Sequence, residues 1–158
     1  MASDTKPNFL LAVLVGGLIA GVIDIFTAMI TFHMTFPQFT QVLSMGWLGR
    51  AGVKAASAQE IMAIGLASHM GLALIFATVF CVFAQRAPEM RRHPVVSGLV
   101  FGLCVYAVMN AIVLPLSAFG ISKSMADPKF ALIGILEHMI LIGLPISFSA
   151  RRFLGKPN

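Results

Sequence analysis

Four long apolar stretches, at about Phe9–Thr31, Ile61–Ala84, Val95–Leu116 and Phe130–Ala150, constrain this chain more than any other feature. Each reaches roughly 20 residues or more, enough at 1.5 Å of helical rise per residue to cross about 30 Å of hydrocarbon. None alternates as a half-buried strand does. Lipid offers no partner to a backbone N–H or C=O, so each stretch must satisfy its own backbone as a helix. The expected fold is therefore all-α: a polytopic membrane protein with four transmembrane helices in a bundle, one domain over residues 1–158. Composition agrees, since 58% hydrophobic and 11% charged residues with a mean hydropathy of +0.92 exclude a soluble globular domain.

Basic residues set the expected orientation. Lys6, Arg86, Arg91, Arg92, Arg151, Arg152 and Lys156 fall on one side, against Arg50, Lys54, Lys123 and Lys129 on the other. That bias places both termini in the cytoplasm. It also accounts for the net charge of +5 without nucleic-acid binding. The first apolar run follows Lys6 and Pro7, is too long for a signal-peptide core and lacks a small-x-small cleavage site, so it is kept as the first span. Cys81 and Cys104 fall at different depths of the second and third spans, which predicts two buried free thiols and no disulfide.

The segment from His33 to Glu60 reads as an outer interfacial loop. Trp47 among apolar neighbours suggests that it lies at the membrane surface and caps the bundle. Pro115 and Pro145, near span ends, are expected to bend or stop a helix.

An internal repeat runs through the four spans. Ile64-Gly65-Leu66-Ala67-Ser68-His69-Met70 in the second is echoed by Ile133-Gly134-Ile135-Leu136-Glu137-His138-Met139 in the fourth. Gly17-Leu18-Ile19-Ala20-Gly21 in the first is echoed by Gly98-Leu99-Val100-Phe101-Gly102 in the third. The pattern predicts two tandem helical hairpins of the same orientation. Small-x-x-x-small spacing is by itself an ordinary packing device.

An ionisable side chain within a span is costly and marks a functional site by default. Counted from the span ends, Asp24, His69, Asn110, Glu137 and His138 all fall roughly 10–13 Å below the outer surface, which predicts one polar layer facing the bundle interior. In an up-down bundle the second and fourth spans are diagonal, so His69 and His138 point at each other. Glu137, about 100° around the helix from His138, approaches a neighbouring span instead.

Three chemistries suit this layer. Two imidazoles can bind haem b axially, with Gly65 and Gly134 leaving room for the porphyrin plane, Arg50 and Lys54 meeting the propionates, and Asn110 supporting from a second shell. His69, His138, Asp24 and Glu137 can instead ligate a transition-metal ion, or carry protons or an ion in a small transporter. Or the polar groups simply hydrogen-bond across helices and fix register, at about 0.6–2 kcal/mol each. That last account suffices for Asn110, Ser68, Thr27 and Tyr106. His-Met pairs at 33–34, 69–70 and 138–139 hint at copper only weakly, because adjacent helical residues diverge by about 100°. No phosphate-binding loop, zinc-protease helix, Cys-x-x-Cys or nucleophile elbow is present, so an independent enzyme is not expected.

Gly17–Gly21 with Asp24, His69, the run from Phe101-Gly102 through Tyr106, Asn110 and Pro115, and Glu137-His138 together resemble the uncharacterised YagU-like four-helix inner-membrane proteins of bacteria. The resemblance implies a four-span topology in a bacterial inner membrane and carries no mechanism. The expectation is a haem b or metal-binding redox subunit in the lipid bilayer, assembling with itself or a larger membrane complex. A small ion, proton or divalent-metal transporter and a non-catalytic assembly subunit are the alternatives.

Overall fold

The computed structural model describes residues 7–118 and 127–155, and Lys6, Lys123 and Lys156 lie outside them. Within the described residues the chain forms helices α1 (Phe9–Thr31), α2 (Phe36–Ala55), α3 (Ala58–Arg86), α4 (Pro88–Arg92), α5 (Pro94–Leu116) and α6 (Pro128–Phe153), and no strand. Helices α1, α3, α5 and α6 are long and apolar enough to cross a membrane, as the sequence requires. Helix α1 starts at Phe9 as expected, whereas α3 and α6 start earlier than hydropathy suggests because polar caps begin them. Ser57 and Glu60 form a reciprocal capping box before α3, and the Asp127 side chain accepts from the Lys129 N–H at 2.9 Å before α6.

The helices alternate in direction, so both described ends share one side of the bundle with α4. This side is called the terminus side, and the opposite one the loop side. Helix α1 packs along α3 and α6, and α5 packs along α6. Helices α3 and α5 share no extended seam among the described residues. They meet through the rings of Phe80 and Phe101, centroids 5.0 Å apart.

Both Gly-x-x-x-Gly motifs do the same job, which supports the two-hairpin repeat. Gly17 and Gly21 of α1 receive Leu74, Ala73 and Met70 of α3. Gly98 and Gly102 of α5 receive Gly143 and the backbone at His138 and Met139 of α6. A methyl group at Gly102 or Gly143 would collide with a facing carbonyl oxygen, of His138 or Gly98 respectively, so only glycine permits this approach.

The terminus-side half is tightly filled. Ala12, Ala77, Phe80, Cys81, Ala84, Ile146 and Ala150 are fully buried there. Hydrogen bonds across helices fasten it: Ser147 Oγ donates to Pro94 O at 2.7 Å and Ser149 Oγ to Ala12 O at 2.8 Å. The Arg91 guanidinium donates to the carbonyls of Leu154 and Gly155, closing the C-terminal end of α6. Cys81 is buried as expected. Cys104 is exposed on the outer face of α5, so only one of the two thiols belongs to the core.

Pro145 departs from its expected place near a helix end, since α6 continues to Phe153. Proline lacks an N–H and its ring crowds the carbonyl four residues back, and a wider turn relieves both problems. Matching π-helical segments, Met109–Val113 and His138–Gly143, precede Pro115 and Pro145 at the same offset.

A roofed cavity as the candidate functional site

The segment read as an interfacial loop is largely helix α2, and it does cap the bundle. It begins with Gln38 Oε1 accepting from the Thr35 N–H at 2.8 Å. Gly49, at φ 65°, breaks it near its end, a conformation in which glycine carries no steric penalty. Its two faces divide the work. Ser44 Oγ donates to Ile61 O at 2.6 Å, and the Thr40 backbone lies directly on Gly65 of α3. Phe39, Val42, Leu43 and Gly46, spaced three and four residues apart, face inward over an open space, with the largely exposed Trp47 at its rim.

That space is a cavity of about 950 Å³ in the loop-side half, within the size range of small-molecule sites. Ala20, Phe76, Val105 and Ile142 form its floor, above the buried Phe80. All four spans contribute walls where α3 and α5 diverge, and α2 is the roof. The polar groups in the wall include Asp24, His69 and His138 from α1, α3 and α6. The two histidines therefore line one partly open space.

Their hydrogen bonds differ. His69 Nε2 lies 3.0 Å from Gly21 O, and because a carbonyl only accepts, Nε2 carries the proton. Asp24 Oδ2 is 3.7 Å from the same nitrogen, and the Phe39 ring meets the imidazole edge-on at 5.4 Å. His138 Nδ1 lies 2.8 Å from Gly134 O, one turn back on its own helix. This fixes Nδ1–H as donor and leaves Nε2 of the neutral ring as a bare acceptor. The Tyr106 ring holds His138 edge-on at 5.5 Å.

Two expected contributors lie elsewhere. Asn110 Nδ2 donates to Tyr106 O of its own helix at 2.7 Å and supports neither imidazole. Glu137 Oε1 accepts from Thr31 Oγ1 at 2.6 Å, reaching a neighbouring helix as its 100° offset predicts. Thr31 is the last residue of α1, seven beyond Asp24, or about 10 Å by helical rise. The polar layer is therefore stepped, because counting from span ends assumes that the ends share a plane. Among the described residues no three His, Cys, Asp or Glu groups converge as a metal ion requires. The proposed set of His69, His138, Asp24 and Glu137 is not assembled.

Gly65 and Gly134 also have a different use. The Thr40 backbone fills the space beside Gly65, and the Tyr106 ring fills that beside Gly134, where a Cβ would lie 2.9 Å from Cε2. Protein occupies the room expected for a porphyrin plane. Arg50 and Lys54 are exposed on α2 and contribute nothing to the cavity wall. Ser68 and Thr27 bond to carbonyls one turn back on their own helices, not across helices as expected.

Sequence reasoning expected a cap where α2 lies but missed that it is a helix. Its signal was the spacing of Phe39, Val42, Leu43, Gly46 and Trp47, which is visible only once the segment is taken as helix. No known protein family, curated protein or solved structure matches the chain. Its own geometry defines its class: an integral membrane protein of four apolar helices enclosing a roofed cavity.

Proposed function

We propose that this protein binds one small, mostly apolar molecule in the roofed cavity, anchored at its polar wall by Asp24, His69 and His138. The observation that carries this reading is convergence: five helices surround one space, and the ionisable groups of three of them open onto it. The terminus-side half has closed to tight packing, whereas this space remains partly open where α3 and α5 diverge. Its apolar lining suits a guest that partitions into lipid, and its few polar groups suit orientation of that guest.

Haem b is a specific second reading, favoured by the hydrogen bond from His138 Nδ1–H to Gly134 O. A metal-ligating imidazole is commonly held in this way, with Nε2 presented to the iron. Bound haem would supply one-electron redox chemistry, and His138 would be its ligand from this chain. His69 fits less well, because its Nε2–H is engaged by Gly21 O.

Full-length protein purified in lipid nanodiscs tests both readings. An absorption spectrum with a Soret band that His138→Ala abolishes would establish haem. Otherwise, an organic extract should contain one dominant small molecule in near-stoichiometric amount. Ala28→Trp, which fills the cavity from α1, should deplete it. Identical extracts from the folded variant and the original protein would overturn the proposal.

A further inference from the structure

Building on the cavity reading, we infer that the guest is a lipophilic organic cation. The argument begins with Asp24. Its carboxylate accepts no hydrogen bond among the described residues, and its nearest polar contact, His69 Nε2 at 3.7 Å, is too distant for one. That N–H is already given to Gly21 O. Asp24 is nevertheless only 21% exposed, lies within a membrane-spanning helix and faces the cavity. A carboxylate in that position is costly until a positive charge joins it.

Among the described residues no permanent cation in the cavity wall supplies that charge, and the ion-pair partner of Asp24, His69, is positive only when protonated. No Lys or Arg among the described residues lines it, and Arg50, Lys54 and Lys129 on the same side of the bundle are absent from the wall. Of the other polar groups in the wall, Ser68 Oγ donates to Ile64 O, and His138 with Nδ1–H given to Gly134 O presents Nε2 as an acceptor in its neutral form. Asp24, the single acidic group of the wall among the described residues, thus biases it against an anion. The apolar wall points the same way. Phe39 and Phe76 in the wall, with the more exposed Phe32 and Trp47 at its rim, offer aromatic rings, and ring faces attract a cation. Low dielectric strengthens both attractions relative to water. Size, apolar lining, a lone carboxylate and aromatic walls together describe a receptor for a bulky cation with a hydrophobic body, such as a substituted ammonium or a delocalised phosphonium.

Three probes of similar bulk separate charge from shape: tetraphenylphosphonium, its anionic isostere tetraphenylborate, and neutral triphenylphosphine oxide, which carries only an acceptor. Saturable binding is measured on the full chain in nanodiscs of neutral lipid, with empty nanodiscs subtracted. The cation should bind at least tenfold more tightly than either other probe. Asp24→Asn should weaken it at least tenfold, and Asp24→Glu should retain most of the affinity, which shows that charge rather than folding is responsible. Equal or tighter binding of tetraphenylborate, or unchanged cation affinity in the folded Asp24→Asn variant, overturns the inference. If all three probes bind equally and Ala28→Trp abolishes them, the cavity reading stands and the charge selection fails. If none binds saturably, both are rejected.

Discussion

The two halves of this bundle are built from the same helices and solve opposite problems. On the terminus side, small residues let α1, α3 and α6 close around Phe80 and Ile146, and serine hydroxyls on α6 fasten neighbouring helices. On the loop side α3 and α5 separate, large side chains line a space without filling it, and a fifth helix covers the gap. In lipid, helices gain little from hiding apolar surface from one another, so association depends on close contact and hydrogen bonds. One half maximises both. The other keeps interhelical bonds such as His69 to Gly21 O and Thr31 to Glu137 yet leaves a space between its helices, as expected where a guest supplies further contacts.

The glycine seam between α5 and α6 offers the most severe test of this division. Gly143→Ala places a methyl group against the Gly98 carbonyl and should cost on the order of 3 kcal/mol, read as a loss of resistance to denaturing detergent. A variant as stable as the original would mean that the seam is looser than described. The next effect compares the halves directly. Ala77→Leu overfills the buried core and should cost about 1–3 kcal/mol, whereas Ala28→Leu projects into the cavity and should be neutral or mildly stabilising. Equal losses from the two substitutions would erase the distinction. The smallest effect concerns the step in the polar layer. Thr31→Val removes the hydroxyl that donates to Glu137 and should cost about 0.6–1.7 kcal/mol, the range measured for interhelical hydrogen bonds in membranes. A change of that size in the same detergent titration would support the contact, and none would remove it.

Much of the fold is legible from periodicity and length, because lipid leaves the backbone so few choices. The site is legible in part. Asp24, His69 and His138 are singled out by their cost in hydrocarbon, and all three reach the same cavity. Asn110 and Glu137 carry the same signal yet turn to Tyr106 and Thr31. Polarity marks a residue as needing a partner and does not say which one.

What the sequence determines by itself is the set of spans and their alternation, since each apolar run must close its own hydrogen bonds. It also marks the glycines as points of close approach. Tertiary structure alone decides what approaches them: the Thr40 backbone at Gly65, the Tyr106 ring at Gly134, and the divergence of α3 from α5 that opens the cavity. Those outcomes depend on how whole helices tilt and slide against each other. Such displacements are summed over many weak contacts between distant residues, and no local pattern encodes them.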